Sequence, residues 1–189
     1  IIHRILEIGR SKNIPIFSFE RKVEGCYNLT MDDVGGFEQI VRHVVEEHQC
    51  RRVNMIAGMK DNHFSQERVD VYRKVLQENQ IPFEEQRVGY GDFWDKPTRE
   101  VVKGFLNSDV EFPEAIVCAN DSMALTTISV LNERGFEVPE DVIITGYDGT
   151  RNGKHFFPSL TSSVPEYEEP VKWILEEIEK SSQKGFSEP

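Results

Sequence analysis

The sequence predicts an α/β fold: a parallel β-sheet covered on both faces by helices. Three observations carry this. Short apolar runs that stop at polar or glycine turn signals alternate with stretches whose apolar residues recur with a 3.6-residue period. The stretches between runs are long enough for crossover helices, which parallel strands require. Residues 115–148 compress one whole βαβ unit: an apolar run ending at Asn120-Asp121, a helix ending near Gly135, and a second apolar run ending at Gly146-Tyr147-Asp148.

Taken in order, residues 4–12 read as the end of a helix, and residues 14–19 (IPIFSF) as a strand closing at Glu20-Arg21. Asp33 is placed to cap a helix with Phe37, Ile40, Val41, Val44 and Val45 on one face. Residues 53–57 form the next strand, closed by Gly58. Ser65 is placed to cap a helix carrying Val69, Tyr72 and Leu76. Residues 87–90 are a short strand leading to Gly91-Asp92-Phe93. Pro97 suits the first turn of a helix with Val101, Val102, Phe105 and Leu106 inward. The βαβ unit follows, its helix carrying Met123, Leu125, Ile128 and Leu131, with Gly135 as C-terminal cap. A last helix runs over 166–180, with Pro170 in its first turn and Val171, Ile174, Leu175 and Ile178 inward. Residues 181–189 read as a tail or linker, and no internal repeat or low-complexity segment interrupts the pattern.

The 189 residues suffice for one large domain or two small ones, and 38% hydrophobic content supports a sizeable core. A net charge of −11 argues against direct nucleic-acid contact by this segment, because phosphate binding needs clustered Lys and Arg. No apolar stretch is long enough for a bilayer-spanning helix, and no signal peptide is visible. The chain opens at Ile1, inside a helical pattern, and reads as a segment of something longer. Cys26, Cys50 and Cys118 have neither zinc-site nor redox-pair spacing, which favours a reducing cytoplasm. HVVEEH at 43–48 has the wrong spacing for a metalloprotease motif. On an α-helix two histidines five positions apart do not share a face, so a solvated helix end is expected there. No metal, no cofactor and no catalytic set is expected, and the chain does not read as an enzyme.

In an open parallel sheet the ligand crevice lies outside the carboxyl ends of the strands. The residues falling there are Glu20, Arg21, Phe93, Asn120, Asp121 and Asp148, with Arg68 reaching in from a helix. Carboxylates and amides take neighbouring hydroxyls, arginine supplies a rigid fork of donors, and Phe93 offers a flat face for a sugar ring or base. Each has an ordinary alternative: Asn120 as a helix cap, Asp148-Gly149 as a turn, Phe93 as core, Arg68 as a solvated helix residue, Glu20-Arg21 as a surface ion pair.

The segments IPIFSFER (14–21), DDVGG (32–36), RRVNMIAG (51–58), SQERVDVY (65–72), GDF (91–93), CANDSMAL (118–125), GFEVPEDVIITGYD (135–148) and FPSLTSS (157–163) resemble the effector-binding region of the LacI/GalR family. That family shares its fold with periplasmic sugar-binding proteins. The resemblance implies a two-lobed, periplasmic-binding-protein-like clamp with an incomplete N-terminal lobe. Residues 1–31 and 161–189 would form that lobe, residues 32–160 the C-terminal lobe, and the crossings near Asp32 and Thr161 the hinges. By position, Arg68, Phe93, Asn120 and Asp148 match the family's ligand contacts, and Glu20 is a candidate from the other lobe. Three departures bear on the ligand class: Gly149 after Gly-Tyr-Asp, where the family continues with Asp; Gln49-Cys50 in place of Gly-His; and Thr126 in place of a small residue.

The resemblance implies a cytoplasmic, homodimeric sensor of a small sugar or nucleoside-like effector, signalling to an output domain outside this chain. In a transcriptional regulator that output is a DNA-binding headpiece. The alternatives are a sensor fused to a signalling domain such as a diguanylate cyclase, and a secreted sugar-binding protein of a transporter, which an upstream signal peptide or lipid anchor would distinguish.

Overall fold

In the computed structural model, residues 1–30 and 33–184 are described. The chain divides into two compact units, one of Ile1–Asp32 with Pro165–Pro189 and one of Asp33–Val164.

The larger unit is built on a five-stranded parallel sheet. Its elements are α2 (Asp33–Arg42), β3 (Val53–Ala57), α3 (His63–Glu78), β4 (Val88–Tyr90), α4 (Asp95–Leu106), β5 (Ala115–Cys118), α5 (Asp121–Asn132), β6 (Ile143–Tyr147), α6 (Arg151–His155) and β7 (Thr161–Ser163). The strand order is β4-β3-β5-β6-β7, parallel throughout. Every residue of β3 and β5 is buried. That is why β5 reads as an unbroken apolar run and β3 as one broken only by Asn54, whose buried side chain accepts from Arg87 Nη1 at 3.0 Å: a sheet covered on both faces has no solvated side. Helix α2 packs with α3, and α4 with α5, forming the helical layers.

The start of the sheet is pinned by one carboxylate. Glu114 accepts from the N–H groups of Arg51 at 2.7 Å and Arg52 at 2.9 Å. Its own carbonyl accepts from Ile143 N at 2.9 Å. The β3, β5 and β6 entries are thereby set in register. The Arg52 N–H bond, followed by that of Arg51, holds the Glu114 carboxyl below the usual carboxylate range against the opposing effect of burial.

The helix starts show how capping was redistributed. Asp33 is the first residue of α2, and its side chain lies outside the described residues. Ser65 does not cap α3. Asn62 does, its side chain accepting from Ser65 N at 3.1 Å, while Ser65 itself is buried inside the first turn. Asn is at least as good a cap as Ser, and with it the helix starts three residues earlier than expected. Gly135 follows α5 with φ +83°, the left-handed conformation expected of a glycine that stops a helix.

Helix α2 passes into a π-helical turn over His43–Glu47. The i, i+5 pattern of that turn overturns the expectation that His43 and His48 point apart. The His48 N–H donates to the His43 carbonyl at 3.1 Å, and the two rings meet edge to face with centroids 4.7 Å apart. Gln49 then turns the chain with φ +57°, standing where the resembled family carries glycine.

The smaller unit contains α1 (Ile2–Lys12), β1 (Phe17–Phe19), β2 (Tyr27–Leu29) and α7 (Glu168–Lys184). Strands β1 and β2 pair in parallel through a short connection that contains no helix. Phe17 stacks on Tyr27, and Trp173 meets both edge-on. Pro170 lies in the first turn of α7, but Val171, Leu175 and Ile178 are exposed rather than inward. A two-stranded sheet offers too little surface to cover the stripe. Two strands escaped the sequence pattern, β2 and β7, each three residues long and alternating or polar in sequence rather than apolar throughout. Because β7 pairs with β6 through Thr145–Tyr147, residues 161–163 sit in the larger unit, and the chain leaves that unit after Val164.

Candidate functional site

The order β4-β3-β5-β6-β7 contains a topological switch. The chain leaves β3 through α3 toward β4 on one side, and leaves β5 through α5 toward β6 on the other. The carboxyl ends of β3 and β5 therefore open a crevice where ligands of parallel α/β folds bind. Four of the five residues singled out in the sequence sit on this rim.

Arg68 comes from α3 and is buried, with 7% of its surface exposed. Its Nη1 donates to the carbonyl of Ala119, the last residue before Asn120, at 2.5 Å. Its guanidinium lies over the Tyr147 ring at 4.3 Å, immediately before Asp148, and 5.8 Å from the Phe37 ring. The expectation that Arg68 could be a solvated helix residue is therefore excluded. A planar cation on a buried aromatic face retains its orientation as a lysine would not. Its buried Nε has no acceptor among the described residues.

Asn120 follows β5 and caps α5: Oδ1 accepts from Met123 N at 2.9 Å. The cap fixes the amide with its Nδ2 donors on the other side. Asp148 follows β6 and is exposed; its N–H donates to Ser163 O at 3.0 Å. Phe93 follows β4, half-buried, its ring laid against Gly58 at the end of β3. A Cβ at Gly58 would overlap that ring. The position admits glycine because an aromatic side chain crosses the strand end there. Glu20 lies in the smaller unit, where its N–H donates to Leu29 O at 2.8 Å.

Backbone strain marks the same positions. Glu20, Phe93 and Asp148 have φ of +58°, +65° and +110° without being glycine, and Asp92 beside Phe93 has φ +54°. Such conformations cost on the order of 1–3 kcal/mol each and collect at sites where geometry matters more than stability. Asp92 and Asp148 belong to a residue type that tolerates positive φ, whereas nothing in the composition announces Glu20 or Phe93. Gly149, which replaces the family's Asp, has φ +61°, and a Cβ there would overlap Val164.

Asp121 has a structural part. It is fully buried; Oδ2 accepts from Thr150 N at 2.6 Å and Oδ1 from the Ser162 hydroxyl at 2.6 Å. Ser162 in turn accepts from Gly149 N at 3.1 Å. The carboxylate thus ties the loop that carries Asp148 to the start of α5 and to β7, and Gly146 leaves it room. Tyr147, the platform for Arg68, was not singled out. The available signal was an aromatic at the end of a buried strand, directly before a rim aspartate. Cys118 supplies no nucleophile: it is fully buried, and burial pushes its thiol up to about 12.

Comparison with known proteins bears on the family and the fold. The Periplasmic binding protein-like domain family matches residues 41–177. The HTH-type transcriptional repressor PurR of Actinobacillus pleuropneumoniae serotype 3 is 29% identical over 160 residues, covering 83% of this chain and 47% of the repressor. The HTH-type transcriptional regulator CelR of Thermobifida fusca is 33% identical over 134 residues, covering 71% of this chain and 39% of CelR. The chain thus spans less than half the length of these relatives. Among solved structures, a CelR–cellobiose complex superposes with a TM-score of 0.77 at 27% identity, covering 93% of this chain and 54% of that one. A LacI-family regulatory protein from Chloroflexus aggregans gives 0.79 at 23% identity, covering 97% and 66%. These relatives are transcriptional regulators, and among the described residues no helix is long and apolar enough to cross a membrane. The chain belongs to the periplasmic binding protein-like domain family, as an effector-binding region of the LacI/GalR type.

Proposed function

We propose that this chain is the effector-sensing part of a LacI-type transcriptional regulator, and that Arg68, Phe93, Asn120 and Asp148 grip a small, hydroxyl-rich ligand. The observation that carries this is the placement of Arg68, buried on Tyr147 and tied to Ala119 between the ends of β5 and β6. On the same rim stand the Asn120 amide, the Asp148 carboxylate and the Phe93 ring. That set suits a sugar, whose adjacent hydroxyls pair with carboxylate and amide while its apolar ring face stacks on Phe93. The cellobiose held by the CelR neighbour supports a sugar over a nucleoside. The set holds no nucleophile with a base beside it, which supports binding without catalysis.

The ligand acts by its differential affinity for two conformations, with the two chain crossings between the compact units as hinges. The output is a DNA-binding headpiece carried by the full-length protein, which works as a cytoplasmic homodimer. DNA is met only through that headpiece, in keeping with the net charge of −11. Glu20 is a separate candidate contact in the smaller unit.

The test is a calorimetric titration of the full-length protein against a panel of mono- and disaccharides and nucleosides. Asn120→Ala and Asp148→Ala should each weaken the best ligand by at least tenfold with the fold intact. Unchanged affinity in both would reject the assignment. Glu20→Gln in the same titration decides whether that residue takes part.

A further inference from the structure

The π-helical turn after α2 brings together two histidines that an α-helix would separate, and the function proposed above uses neither. His43 Nε2 and His48 Nε2 face each other at 3.2 Å. On its other side the His43 ring is held by Glu47, Nδ1 to Oε2 at 2.8 Å. A carboxylate only accepts, so His43 carries its proton on Nδ1 and presents the Nε2 lone pair toward His48. This carboxylate–imidazole pairing is the arrangement that fixes the tautomer and ring orientation of a metal-binding histidine.

We propose that His43 and His48 chelate one divalent transition-metal ion through their Nε2 atoms, with Glu47 as a positioning residue. A metal 2.0–2.1 Å from both nitrogens would subtend an angle of about 99–106° at their 3.2 Å separation, close to tetrahedral. In the metal-free contact His48 carries the shared proton on Nε2; on binding it takes the tautomer with its proton on Nδ1, and both rings turn so that the two Nε2 lone pairs meet at the ion. Among the described residues no group of three or more His, Cys, Asp or Glu side chains is placed to hold a metal. The pair is therefore an open two-nitrogen chelate whose remaining positions go to water or to an added ligand. Imidazole donors select Cu²⁺, Ni²⁺ and Zn²⁺ over Mg²⁺ or Ca²⁺, with Cu²⁺ bound most tightly.

Three features support the assignment. π-Turns are rare and occur frequently at functional positions, and this one supplies the i, i+5 contact directly. His48 is exposed and His43 partly so, which places the pair at the surface. Both rings also line a cavity of about 380 Å³ with Ile128, Val138, Pro158 and Leu160, which gives an additional metal ligand room beside them. The turn precedes β3 and the cavity includes Ile143 and Thr161, the first residues of β6 and β7. The site thus lies at the edge of the sheet opposite the ligand rim.

The full-length protein is titrated with CuCl2, NiCl2 and ZnCl2 in a non-coordinating buffer at neutral pH, by calorimetry and, for Cu²⁺, by visible absorption. One equivalent is expected, in the affinity order Cu²⁺ over Ni²⁺ and Zn²⁺, with a nitrogen-ligand absorption band. His43→Gln and His48→Gln should each weaken binding at least tenfold and together remove the equivalent, with unchanged far-ultraviolet circular dichroism. Glu47→Gln should keep the stoichiometry and weaken affinity by roughly tenfold. Two results would overturn the proposal: an equivalent that survives in the double variant, which would place the metal on another of the five histidines, or no bound metal in the wild type.

Discussion

The Asn120 amide is divided between two tasks, and substitutions can separate them. Its Oδ1 caps α5 through Met123 N–H, so Asn120→Ala should lower stability by about 1 kcal/mol. Asn120→Asp keeps an acceptor for that N–H and places negative charge at a helix start, so stability should hold within a few tenths of a kcal/mol. It also replaces the outward donors with acceptors, so ligand affinity should fall as in the alanine variant. Urea denaturation beside ligand titration reads both quantities; an Asp variant that binds normally would reduce Asn120 to a cap. Asp121 makes the opposite prediction. Asp121→Ala leaves the Thr150 N–H and Ser162 hydroxyl without their charged partner, and should cost roughly 2–4 kcal/mol in urea unfolding. Its effect on affinity would be indirect, through the loop that carries Asp148. In the sequence these neighbours looked alike as polar residues after a strand. Burial distinguishes them, and burial is a property of the packed sheet.

At the scale of elements, the central strands were legible because a doubly covered parallel sheet leaves a continuous apolar signature, as in Ala115–Cys118. The rim was legible for a related reason: strand ends are where apolar runs stop. The Arg68–Tyr147 stack, the strained Phe93 loop and the Gly58 clearance were not. Each depends on two segments meeting at a distance, and local periodicity carries no such information. The His43–His48 contact failed differently: at 3.6 residues per turn positions i and i+5 lie about 140° apart, and only a π-turn joins them. Gly58 allows a direct test of the rim. Gly58→Ala must push the Phe93 ring aside, at an overpacking cost of about 1–3 kcal/mol. If that ring stacks on ligand, affinity should fall with Phe93→Ala and Gly58→Ala alike. The sheet's entry edge predicts a pH response. The folded-state value of Glu114 is lowered by backbone N–H donors, and that of Glu38 by Lys74 and Arg42. A lowered value contributes stability that is fully present above the unfolded carboxylate range, about 4.3, and is lost as pH falls through the folded value. Urea midpoints should thus decline below about pH 4, and Glu114→Gln should flatten that decline.

For the whole molecule, the two units differ sharply in what holds them together. The larger unit contains the contiguous core, from Phe37 in α2 through the β3 and β5 strands to Tyr147. It begins and ends at the two chain crossings, so excising it cuts no strand of its sheet. The smaller unit buries few apolar side chains, among them Cys26, Tyr27 and Leu29, while Ile2, Ile5 and Ile8 of α1 and Val171, Leu175 and Ile178 of α7 are exposed. Folding must offset the entropy of ordering every residue, and burial of apolar surface is the main term that does so. The imbalance predicts independent folding for one unit alone. A fragment of residues 33–164 should show a single cooperative thermal transition, native-like near-ultraviolet circular dichroism and a denaturant slope in proportion to its buried surface. It should also retain the metal equivalent at His43 and His48, because both residues and the cavity beside them lie within it. Residues 1–32 and 165–189, joined by a short linker, should show neither the transition nor the dichroism. A fragment 33–164 that melts without cooperativity would mean that its core depends on the smaller unit, and the division of the chain into a self-sufficient unit and a dependent one would fall with it.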